Sequence, residues 1–179
     1  MKDCLDEGRF PLPNKYLVGH IRISALDDVR HDVKSSEIDS HANKIVIGSQ
    51  GSIIQATLQC DEVEAFSDEV LVLENLPIVD AIIAYDIPYS MTTYLIIAKN
   101  SLNVPSMSND LITTFIMRES GLIVNEIVKV HVEFPTEDHH YIYDATLDVR
   151  ILLSFTGTFS YFKIRSLTNY EIKTVINMM

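Results

Sequence analysis

The chain has 179 residues, is 47% hydrophobic and 22% charged, and carries a formal net charge of −11. That length supports one domain with a real core, and the acidic balance excludes a nucleic-acid-binding module, which needs clustered Lys and Arg on the phosphates. The two cysteines, Cys4 and Cys60, form neither a disulfide framework nor a metal-ligand spacing, which fits a reducing, intracellular (cytoplasmic) setting. The acidic N-terminus lacks an apolar signal stretch, and the longest apolar runs, such as 94–98, are too short to cross a bilayer, so no membrane association is expected.

Residues 1–14 mix charge with Pro11 and Pro13 and read as an arm. Partial alternation over 16–24 predicts a strand. The polar run 25–36 predicts a solvated loop or a short helical turn. Residues 37–48 carry an apolar residue into Asp39, then Ser40, a short turn, and the β-branched run Ile45-Val46-Ile47 up to Gly48. A further strand is predicted at 51–58, and an acidic surface excursion at 61–69. Two β-rich runs, 76–85 and 92–98, flank the Pro88-containing turn at 86–90 and predict a hairpin. Leu111, Ile112, Phe115 and Ile116 fall at helical spacing, so a helix is predicted over 109–120, capped by Ser108 or Asn109 and stopped by Gly121. Strands are then predicted at 122–124, 126–133, 141–143, 147–153 and within 156–162, with a terminal helix beginning at Thr168 or Asn169. Many short strands with one or two helices predict a mainly β protein built as a closed or partly closed barrel. The predicted division is an arm at 1–22, a β-barrel domain at 23–132 and a β-rich C-terminal extension at 133–179.

Adjacent residues on an extended loop point apart, so His139 and His140, with Glu137 and Asp138, do not predict a metal site. No cofactor is expected. The aromatic residues Tyr141, Tyr143, Tyr161 and Phe162 read as strand and core side chains.

The motif Asp39-Ser40-His41-Ala42 running into an apolar strand resembles the catalytic loop of retroviral-type aspartic proteases, which reads apolar-Asp-Ser/Thr-Gly-Ala. The resemblance extends over 23–172 to the protease segment of Ty1/copia-type retrotransposon polyproteins. A second block of that group is matched by Ile97-Ala98-Lys99-Asn100-Ser101-Leu102-Asn103-Val104-Pro105, then Asn109-Asp110-Leu111-Ile112, then Gly121-Leu122-Ile123-Val124. His41 stands where most of the family has glycine, and the form Asp-Ser-His-Ala is similar to a subset of such elements.

The resemblance implies a retropepsin-like closed β-barrel and an aspartic endopeptidase that processes a polyprotein. Two carboxylates face each other across a water, and like charges that close cannot both ionise, so one keeps a proton while the other acts as base. Asp144-Ala145-Thr146 does not fit the motif, and no other copy of it occurs, so the pair requires a homodimer in which each chain gives Asp39. Asp39 would be catalytic and Ser40 would brace the loop. His41 and Ala42 would modulate it, because a protonated His41 beside Asp39 favours the ionised form. The hairpin from 76 to 93, with Ile78, Val79, Asp80, Ala81 and Ile82, would be the flap over a polypeptide substrate. It contains no glycine, which flaps commonly use for mobility. The alternative from the same residues is a catalytically inactive module of this fold that binds itself or another protein.

Overall fold

A computed structural model describes residues 17–22, 34–39, 42–63, 73–136, 138–157 and 159–178. The fold is mainly β. In chain order the strands are β1 Leu17–Arg22, β2 Lys34–Asp39, β3 Val46–Ile47, β4 Ser52–Val63, β5 Leu73–Asp86, β6 Thr92–Asn103 and β7 Asp110–Thr113. Helix α1 (Thr114–Glu119) follows, then β8 Ile123–Asn125, β9 Tyr141–Asp144, β10 Val149–Leu152, β11 Ser154–Thr156, β12 Phe159–Ile164 and helix α2 (Asn169–Met178). No described helix is long and apolar enough to cross a membrane.

Nine strands form one sheet in the order β11-β12-β2-β7-β3-β6-β5-β4, with β1 pairing β6 off that path; β10-β9-β8 form a second. The expected closed barrel is not formed. The large sheet begins at β11 and ends at β4, and no pairing among the described residues joins those two edges. β11 is three residues long, and β4 departs into a hairpin whose outward side chains, such as Leu58, are fully exposed.

The 76–98 region forms the predicted hairpin, with β5 and β6 antiparallel from Ile78↔Leu102 to Asp86↔Thr93. β5 is sandwiched between β4 and β6, and Val79, Ala81, Ile82, Ile83 and Ala84 are buried. A strand covered on both faces reads as a continuous apolar run rather than an alternation.

The predicted helix over 109–120 divides in two. Residues 110–113 are strand β7, parallel to β2 in the register Ser36↔Asp110 to Asp39↔Thr113, and only 114–119 are helical. Ser108 and Asn109 therefore do not cap it; Thr113 occupies the cap position and makes no side-chain cap bond. Gly121 does end it, at φ 89°, its N–H reaching the Arg118 carbonyl at 2.9 Å. The strand predicted over 126–133 is also absent. That stretch holds a single 3-10 turn at Lys129–His131, and Ile127 and Val130 are exposed, so its alternation faces no partner strand among the described residues. The run 25–36, expected as a solvated loop or a short helical turn, ends instead in strand: its last three residues open β2.

Residues 133–179 are not an appendage. β12 pairs with β2 from Ser160↔Ile38 to Ile164↔Lys34, and Ile142, Val149, Ile151, Leu153, Phe162 and Ile164 share one core cluster with Ile38, Ile83, Ile96, Ile112 and Met117. Phe162 meets Tyr85 edge to face, with centroids 6.0 Å apart. Residues 17–22, assigned to the arm, likewise pair along β6.

The terminal helix starts where predicted. Thr168 and Glu171 form a capping box: the Glu171 N–H donates to Thr168 Oγ1 at 3.3 Å, and the Thr168 N–H donates to Glu171 Oε2 at 2.8 Å. Arg165 locks this helix to the sheet. Its guanidinium donates to Glu171 Oε1 and Oε2 at 2.7 and 2.8 Å, to Asp86 at 2.7 and 2.9 Å, and to Thr93 Oγ1 at 3.1 Å. Burial by itself would raise the Glu171 carboxyl, but the bonds from Arg165 and Thr168 outweigh it and hold the group below its ordinary range.

Candidate active site

Asp39 is the last residue of β2. Two pairs along the same face of β2 and β7, Ser36 with Asp110 and Ile38 with Ile112, are buried and fix where the strand ends. Period-two alternation then puts Asp39 on the other face with Glu37, half-buried, and opposite Thr113. Its Oδ1 accepts the Ala42 N–H at 3.2 Å, so the chain turns back onto the carboxylate. Ser40 and His41, read as loop brace and modulator, lie outside the described residues.

After the turn, Ile45 enters the core and β3 inserts between β7 and β6. Gly48 ends it against the backbone of 107–109. A Cβ there would sit 2.6 Å from the Asn109 carbonyl oxygen and 2.7 Å from that of Met107, so glycine is required by close approach.

Asp110 braces this junction. It is fully buried; Oδ1 accepts the Gly48 N–H at 2.7 Å and Oδ2 accepts the Ser36 hydroxyl at 3.4 Å. Burial pushes its carboxyl up to about 6, against the pull of those two donors. One side chain thus joins β2, β7 and the turn after β3. Sequence reasoning placed Asp110 only within the second block. The available signal was a carboxylate directly before the apolar pair Leu111-Ile112, where no solvated face was needed.

The predicted flap residues sit elsewhere. Ile78, Val79, Ala81 and Ile82 are buried within β5, hydrogen-bonded to strands on both sides, so they form a sheet interior and not a tip. Asp80 caps an irregularity: its Oδ1 accepts the N–H of Asn100, which has φ 50°, where the β5–β6 register shifts between Val79 and Ala81. The extended hairpin beside the Asp39 loop is β4–β5, with register shifts between Ile53 and Gln55, Ala56 and Cys60, and Asp61 and Val63. Lys44, just past the turn, pairs with Asp61 on β4 and ties that hairpin to the loop.

On the outer face of β2, an open groove of about 470 Å³ is lined by Ser35, Glu37, Asn109, Thr156, Phe159, Tyr161 and Lys163. Asn109 holds it together, donating from Nδ2 to Glu37 Oε1 at 2.6 Å.

Of the histidine pair, His139 Nδ1 accepts the Thr136 N–H at 3.2 Å, while His140 is buried, its Nε2 2.8 Å from Ser160 Oγ. Among the described residues no three His, Cys, Asp or Glu side chains are grouped to hold a metal ion.

No protein-family model, curated protein or solved structure matches this chain.

Proposed function

We propose that the chain is a copia-type, retropepsin-like aspartic endopeptidase that processes a polyprotein and works as a homodimer, each copy giving one Asp39. The observation that carries this reading is the setting of Asp39. It ends a strand held parallel to β7, its carboxylate is engaged by the turn that follows, and β3 returns to flank β7 from the other side. The reading is strengthened by the Lys44–Asp61 pair, which keeps the long β4–β5 hairpin beside that turn. In this proposal the end of the β4–β5 hairpin around Asp61, Val63 and Leu73 covers the substrate, rather than the β5–β6 turn at 86–93.

The chemistry follows from two Asp39 carboxyls sharing one proton. The ionised one takes a proton from the water between them, and the water oxygen attacks the peptide carbonyl carbon. The protonated one gives its proton to the carbonyl oxygen. The tetrahedral intermediate then breaks its C–N bond as a proton passes to the leaving nitrogen. Ser40 would hold the loop by hydrogen bonding.

The test is Asp39→Asn. It is expected to abolish peptide cleavage while the urea unfolding curve stays close to that of the parent. Cleavage that survives the substitution overturns the proposal.

A further inference from the structure

Two buried side-chain hydroxyls, Ser101 Oγ and Thr113 Oγ1, have no hydrogen-bond partner among the described residues. Ser101 lies in the middle of the sheet, opposite Val79. Thr113 lies opposite Asp39 at the end of the parallel β2–β7 pair. It is fully buried, and although it stands at the cap position of α1 it makes no side-chain cap bond. A buried hydroxyl left without a partner costs about 1–3 kcal/mol, so a reachable acceptor is strongly favoured. Neighbouring strands lie about 4.8 Å apart, and in-register side chains share a face, so rotation about χ1 brings a threonine hydroxyl toward a carboxylate across the pair. A carboxylate has about four lone-pair sites, so Asp39 can accept from more than one donor besides the Ala42 N–H.

We infer that Thr113 is a positioning residue for Asp39: a turn about χ1 lets its hydroxyl donate a hydrogen bond to the Asp39 carboxylate, fixing the plane of that group at the strand end. This role rests on the peptidase reading for its purpose, but not for its existence. A donor to the ionised form favours that form. In the homodimer each copy's Thr113 would hold its own Asp39 carboxyl in a fixed plane, aimed at the water between the two. Threonine also tolerates an extended backbone at this position, φ −79° and ψ 125°, which valine would adopt equally well. Thr113→Val therefore removes the hydroxyl and little else.

The experiment is a double-mutant cycle on urea unfolding with Thr113→Val, Asp39→Ala and both, with Thr113→Ser as the conservative control. The inference predicts that the unfolding constants of the single variants fail to multiply to that of the double by roughly fivefold or more. Thr113→Ser should stay within about twofold of the parent. Effects that multiply within about twofold overturn the inference, leaving Thr113 as packing alone. Kinetics give a second readout: Thr113→Val should lower kcat at least tenfold with KM held, and Thr113→Ser should restore it. A kcat unchanged by Thr113→Val overturns the inference as well. The two proposals fail separately. A parent that cleaves nothing sinks the peptidase reading while the cycle still decides Thr113; a parent that cleaves, with multiplicative variants, sinks Thr113 alone.

Discussion

Replacing Arg165 with Met should be the most damaging single change outside the apolar core. Arg165 is 7% exposed and Glu171 0%, and five hydrogen bonds join the guanidinium to Glu171, Asp86 and Thr93. Removing the cation leaves a buried carboxylate without its counter-charge, which costs about 3–5 kcal/mol. The Asp86 side is 54% exposed and solvent-screened, so most of the loss belongs to Glu171. A loss of that size is a large share of the roughly 5–15 kcal/mol that stabilises a typical domain.

The pH dependence has a definite sign. In the parent, the Glu171 carboxyl is depressed, so its contribution is present above the ordinary carboxylate range and fades as pH falls through the folded value. In Arg165→Met the carboxyl gains by protonation, so the deficit should be largest at pH 7 and shrink toward pH 4. Adding Glu171→Leu removes the orphaned charge and should recover most of the loss, short of about 1 kcal/mol for the capping box. Urea unfolding followed by circular dichroism at pH 7 and pH 4 measures all three proteins. A loss below about 1 kcal/mol at pH 7, or a double variant no more stable than the single, would refute the reasoning.

Asp110 should behave in the opposite sense. Its carboxyl is raised to about 6, so its stabilising share is complete below the unfolded value near 3.8 and is lost as pH rises through about 6. Asp110→Asn, whose carbonyl can still accept the Gly48 N–H, should match or exceed the parent by up to about 2 kcal/mol at pH 7 and show no such gain at pH 4. Asp110→Leu should lose about 1–3 kcal/mol by stranding that N–H, as urea midpoints would report. Truncation after Val132 should give no cooperative unfolding transition by circular dichroism, because it removes β12, the partner of β2, and six residues of the shared core.

Local features were legible in the sequence wherever neighbouring residues decide them. The β5–β6 hairpin, the Gly121 helix stop and the Thr168 helix start all follow from short-range turn, cap and alternation signals. Features settled by distant partners were not. Leu111, Ile112, Phe115 and Ile116 fit a helical stripe, yet parallel pairing with β2 takes Leu111 and Ile112 into a strand and leaves Phe115 60% exposed. The run 126–133 alternates as a strand would, but pairs with no edge among the described residues, and alternation cannot supply one. The pairing of β12 with β2 across position 132 is of the same kind, since the two strands are far apart in the chain. At the site, Asp39 at a strand end was readable from its flanks. The roles of Asp110 and Thr113 were not, because each depends on which residue stands across the parallel pair.

The most direct measurement is cleavage of a peptide library at high protein concentration, from pH 4 to pH 7, by the parent and Asp39→Asn side by side. A homodimeric peptidase built on Asp39 predicts cleavage by the parent that rises faster than linearly with concentration and is absent from Asp39→Asn. A folded parent that cleaves nothing at any of these pH values, or an Asp39→Asn protein that cleaves as well as the parent, would contradict it.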